Sequence, residues 1–182
     1  MHIRAVQKHR KLVSKYLEKF ALSKLGEELG FSYSDAEDLA YTHDKDKLEN
    51  KELFDQYKYI SYLYYCKKHD LECEIEYTKE MDDATQDHII NNKHHAEYWD
   101  KNYRPVEVTD FKNRDSTTIN SVSGKNMPDE SIIEMVCDWK AVGDSRNNKA
   151  IEWADKVKKN KRYVFTDDQW DFIYEILDVI DN

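Results

Sequence analysis

Chain breakers are scarce in this sequence, and their scarcity restricts the fold more than any other feature. Four glycines and two prolines are spread over 182 residues, so long stretches contain nothing that costs a helix about 1 kcal/mol (Gly) or about 3 kcal/mol (Pro). Within those stretches apolar residues recur at helical spacing. Ile3, Val6, Leu12, Val13, Tyr16, Leu17, Phe20 and Leu25 form one face of a helix over 3–25, interrupted by Gly26 and Gly30. Ser34 ahead of "DAED" reads as the N-cap of a short helix over 35–42, which delivers His43 and Asp44 at its end. A broad apolar stripe from Leu53 to Cys66 predicts a central helix over 51–69. The helical pattern returns over 80–99, and again from Pro128 to Gly143, with Pro at the first helical position and Gly after the last. Two more helices are expected at 147–160 and 167–180, the second opened by a capping box from Thr166 to Gln169. The expectation is an all-α protein, one helical domain over 1–182.

Two segments break the pattern. "LECEIEY", residues 71–77, alternates apolar residues with glutamates at the period of a half-buried strand. Residues 100–126 are polar, hold Pro105 and Gly124, and exceed the usual loop length, which marks a flexible insertion, a small β-hairpin or a lid.

Charge limits the partners. A net charge of −9 and a pI near 5.3 argue against long nucleic acid, whose phosphates require a face rich in Lys and Arg. Three cysteines without CxxC spacing suggest neither a disulfide frame nor a zinc knuckle, and point to a reducing, cytoplasmic setting. The N-terminus lacks an apolar signal core and no run approaches 18 apolar residues, so neither export nor a membrane span is expected.

The informative residues are polar ones in apolar company. Asp138 lies in "IIEMVCDWKAV", where a carboxylate is costly without a cation or donors. Glu134, four residues earlier, shares its face. With seven His and 21 Asp, chance alone gives about 0.8 His-Asp neighbours, so the His43-Asp44 pair means little by itself. His94-His95 is rarer, at about 0.3 expected. In chain order His9, His43-Asp44, His88, His94-His95 and Asp138 fall on separate predicted helices or helix ends, apart from the middle three. Imidazoles and carboxylates converging from several helices are how a helical bundle builds a metal centre.

The stretches "HIRAVQKHRKLVSKY", "HDKDKLENKELF", "HIINNKHHAEYW" and "MPDESIIEMVCDW" resemble the HD superfamily of metal-dependent phosphohydrolases, and more closely an uncharacterised HD-like family frequent in phage and bacterial genomes. The ordered signature is an early His, a His-Asp pair, further histidines for a second metal and a late Asp, spanning roughly residues 2–140 here. Lys47 and Glu52 match the Lys and acidic residue that follow the pair, whereas Asp46 stands where Ser is usual.

The resemblance implies an HD-like helical bundle and a centre of one or two divalent ions. His9, His43, Asp44 and Asp138 would hold one ion, and Asp44 would bridge to a second held by His88 and one or both of His94 and His95. Fe, Mn or Co suit this mixed ligation best, with Mg or Zn as alternatives. The implied reaction is attack of metal-activated water on the phosphorus of a small phosphorylated molecule, a nucleotide or cyclic nucleotide, with Asp44, Lys47 and Glu52 in catalytic roles. Lys47 and Arg10 would contact phosphate, and Trp99, Tyr98 or Trp139 could stack on a base. Lys47 and Glu52 could equally form an outer-face ion pair, and His2 and His69 read as surface or supporting residues. A rival reading is a non-catalytic helical module with structural ions, such as a phage protein that sequesters a ligand or host factor. A third is oxygen chemistry at a di-iron centre.

Overall fold

The computed structural model describes residues 1–112 and 121–182 and is all-α apart from one short pair of strands. In chain order it runs α1 (His2–Ala21), α2 (Lys24–Leu29), α3 (Tyr33–Thr42), α4 (Asp46–Glu49), α5 (Lys51–Lys68), α6 (Lys79–Asn91), α7 (Ala96–Trp99), β1 (Val122–Ser123), α8 (Asp129–Arg146), α9 (Ala150–Lys159), β2 (Tyr163–Val164) and α10 (Asp167–Asp181).

The helix at the centre is α8, not α5. Every residue of α8 from Ser131 to Cys137 is buried, nearly two full turns covered on all sides, which is stable only when the helix is surrounded. α1 packs on α8 and α3 through Val13, Leu17 and Phe20, and α10 covers α8 through Ile173, Ile176 and Leu177. The broad stripe of α5 serves a second apolar cluster instead. There Leu53, Tyr57, Ile60 and Leu63 meet Met81 and Ala84 of α6, with Tyr77 and Val108 from the flanking chain. Elements of both clusters meet where α1, the end of α3, the end of α6 and α8 converge.

Several boundaries differ from the sequence reading for identifiable reasons. The N-cap of α3 is Ser32 rather than Ser34, because Asp35 stands three residues on and completes a capping box. Gly143 does not end α8. It lies inside the helix, where a side chain would meet the carbonyl oxygen of Asn148, and the helix closes at Asn147 in the left-handed region. The pattern over 80–99 is two helices with a break at Asn92, so His94 lies in the connection and His95 caps α7. Residues 71–77 form no strand. Tyr77 is buried, and Cys73 and Ile75 pack beside it, so the alternation reflects a half-buried extended segment with no strand paired to it.

The expected insertion at 100–126 does not make a hairpin where it is described. β1 pairs in parallel with the distant β2, Val122 opposite Tyr163, and Val108 is buried with its N–H donating to Asp82. Residues 113–120, part of the expected lid, lie outside the described residues. Cys66, Cys73 and Cys137 are free thiols. Among the described residues no helix is long and apolar enough to cross a membrane.

Candidate metal centre

The ligand candidates arrive on several separate supports. His9 is on the inner side of α1 next to buried Val13, and Asp138 follows the buried run of α8. His43 closes α3 as its C-cap. Asp44 takes a left-handed backbone (φ 52°), a conformation Asp tolerates better than most residues, and the chain thereby turns from α3 into α4. His88 lies in the last turn of α6, and His94 and His95 follow in the turn before α7.

These seven side chains come together. His9 Nε2 lies 2.9 Å from Asp138 Oδ1, 3.2 Å from His43 Nε2 and 3.6 Å from Asp44 Oδ2. His43 Nε2 is 3.9 Å from both carboxylates. On the other side, His88 Nε2 lies 3.1 Å from His95 Nε2 and 3.2 Å from Asp44 Oδ1, and His94 Nε2 is 3.7 Å from that same oxygen. The two oxygens of Asp44 therefore face two separate donor groups.

The spacing fits cations. Bonds of about 2.1 Å to a metal place neighbouring donors about 3.0 Å apart in an octahedron and about 3.4 Å apart in a tetrahedron. The outward ring nitrogens point the same way. His43 donates from Nδ1 to Glu134 at 2.9 Å, His94 Nδ1 reaches the same carboxylate at 3.3 Å, and His88 donates from Nδ1 to Asp46 at 2.8 Å. A neutral imidazole with its proton on Nδ1 presents a lone pair at Nε2, so three lone pairs are turned toward the Asp44 carboxylate. Acceptors facing acceptors in a buried space require positive charge between them. The buried His, Asp and Glu groups could hold a metal ion.

The electrostatics agree. Burial alone would raise the Asp44 carboxyl, yet Lys47, His43 and His88 outweigh it and hold it well below the usual range. Asp138 is likewise held down against its burial, chiefly by His9. Burial lowers the His95 ring well below its ordinary value, and His94 and His88 add to that, which keeps it a neutral donor. Burial would also lower the Lys47 ammonium, but Asp44 at 2.8 Å outweighs burial and raises it.

A family model described as a family of unknown function, DUF5662, matches residues 1–179. The chain belongs to that family. It matches no curated protein and no solved structure. The family match covers the whole donor set, from His9 to Asp138.

The other candidates lie elsewhere. Arg10 donates to the carbonyls of Ala40 and Tyr41, at 3.3 and 2.6 Å, and so fastens α1 to the last turn of α3. Glu52 is exposed in the first turn of α5, and no described hydrogen bond or ion pair joins it to Lys47 or the donors. Trp99 donates from Nε1 to the Lys93 carbonyl and packs on the main core. Trp139 is buried and stacks on Tyr163, and Tyr98 is exposed. His69 is exposed as expected, whereas His2 is buried, bonded to Ser61 and to the Lys47 carbonyl.

Glu134 and Asp46 have roles that sequence reasoning did not assign. The available signal for Glu134 was its spacing of four from Asp138 inside an apolar run. Asp46 occupies the position noted for lacking Ser, and there it accepts from His88 and from Asn92.

Proposed function

We propose that the protein is a metal-dependent phosphohydrolase of the HD type, acting on a small phosphorylated molecule such as a nucleotide or cyclic nucleotide. The observation that carries this reading is the placement of Asp44, one carboxylate oxygen toward His9 and His43, the other toward His88 and His94. Such a carboxylate suits two adjacent cations, and the mixed imidazole and carboxylate set accommodates Fe, Mn or Co, with Mg or Zn as alternatives. Bound cations would supply positive charge for phosphoryl oxygens and make a water acidic enough to act as nucleophile near neutral pH.

The chain's own groups do the remaining work. His43, His88, His94 and Asp44 are buried, whereas His9, Asp138 and Lys47 retain 19 %, 17 % and 16 % of their side-chain exposure. Substrate would therefore arrive on the side of those three. Lys47, held charged by Asp44, can donate to a phosphate oxygen there. Asp138, a carboxylate at the rim, would accept a hydrogen bond from the attacking water and orient it.

The test is phosphomonoesterase and cyclic phosphodiesterase activity of purified protein with added Mn or Fe. Wild type is expected to turn over, and Asp44→Ala to lose at least about 100-fold in kcat while keeping its circular dichroism. Metal-free protein that neither binds added ions nor hydrolyses any phosphate ester defeats the proposal and favours a binding module. A visible absorption band that develops on adding oxygen to iron-loaded protein would point to oxygen chemistry instead.

A further inference from the structure

Glu134 is buried, only 4 % exposed. A single oxygen, Oε1, accepts from Nδ1 of His43 at 2.9 Å and lies 3.3 Å from Nδ1 of His94. Those two imidazoles lie against each other, ring centroids 4.4 Å apart, and then diverge. His43 turns its Nε2 toward the group that contains His9 and Asp138, while His94 turns its Nε2 toward Asp44 Oδ1 and the group of His88. Asp46 offers a natural contrast. Its carboxylate accepts from one imidazole, that of His88, and from the amide of Asn92.

We infer that Glu134 is a positioning residue shared by the two ion sites, one carboxylate that fixes the tautomer and aim of a histidine ligand in each. The inference rests on the two-ion reading above. A carboxylate behind an imidazole holds the proton on the far nitrogen, makes the near nitrogen a stronger donor and restrains ring rotation. Losing such a partner typically weakens metal binding by about 10- to 100-fold. Because one oxygen serves both rings, its loss acts on both ions together, whereas the loss of Asp46 acts on one. A purely structural carboxylate would alter stability and leave both ion affinities at their wild-type values.

The experiment is calorimetric titration of metal-stripped full-length protein with Mn2+, comparing wild type, Glu134→Gln and Asp46→Asn. Wild type is expected to take two ions. Glu134→Gln is expected to raise both dissociation constants about 10- to 100-fold, and Asp46→Asn to raise only one. Either constant staying within twofold of wild type in Glu134→Gln overturns the inference. Wild type that binds no ion overturns the two-ion reading instead, so the two failures are distinct. A second measurement needs no variant: long-range 1H–15N correlation on the zinc-loaded wild type should show His43 and His94 protonated at Nδ1. Protonation of either ring at Nε2 refutes the shared role even if Glu134→Gln does not fold.

Discussion

Removing divalent metal and returning it should move the unfolding temperature by an amount the geometry sets. The donors span His9 to Asp138 and sit on α1, the α3–α4 turn, α6, the turn before α7, and α8. An unfolded chain does not hold residues so far apart in one coordination shell, so cations bind the folded state alone and ligand linkage applies in full. At a free concentration 100 times its dissociation constant, each ion adds about 2.7 kcal/mol, or about 5.4 kcal/mol for two. For 182 residues, a typical entropy of about 2.1 cal/mol/K per residue gives about 0.38 kcal/mol/K on unfolding. The midpoint should then rise by about 7 °C for one ion and about 14 °C for two. Differential scanning calorimetry of chelator-treated protein titrated with Mn2+, with elemental analysis of each sample, measures this. A rise below about 2 °C at millimolar Mn2+, Fe2+ and Co2+ alike would show that the donors do not form a cation site.

Two further outcomes probe the scaffold. Leu17 is fully buried where α1 meets α8, so Leu17→Ala should cost about 2–5 kcal/mol in urea unfolding, and a loss under about 1 kcal/mol would mean that this face of α1 is not core. Tyr16 hydrogen-bonds to Asp144, and burial followed by that bond pushes its phenol up to about 12 from an ordinary 10. A raised folded-state value means the contribution is complete below pH 10 and disappears as pH rises through about 12. Wild type should therefore lose about 1 kcal/mol relative to Tyr16→Phe between those limits once solvent screening is allowed for, and parallel stability curves for the two proteins would contradict it.

Much of this was legible in the residues. α10 and most of α1 follow directly from apolar spacing, although the helix expected to reach Leu25 stops at Ala21 and Gly26 lies inside α2; the Thr166–Gln169 capping box is where the sequence places it, because caps and stripes are local. Element boundaries near the site were less legible. A helical pattern runs through Asn92 although the chain breaks there, since periodicity does not register a turn that tertiary contacts impose. His88 and His95 stand seven residues apart, a spacing that on one continuous helix returns to nearly the same face. The two nitrogens do meet, at 3.1 Å, but through a turn rather than along a helix.

By itself the sequence determined the all-α class and the seven metal-capable side chains, because helix periodicity and the cost of a polar group in an apolar run are properties of neighbours in the chain. Only the tertiary structure decided how those side chains divide around the two oxygens of Asp44, that Arg10, Glu52 and Trp99 lie apart from them, and that Glu134 stands behind two histidines at once. Most of those relations join residues 34 to 129 positions apart, and distances of that kind arise from how helices pack on α8.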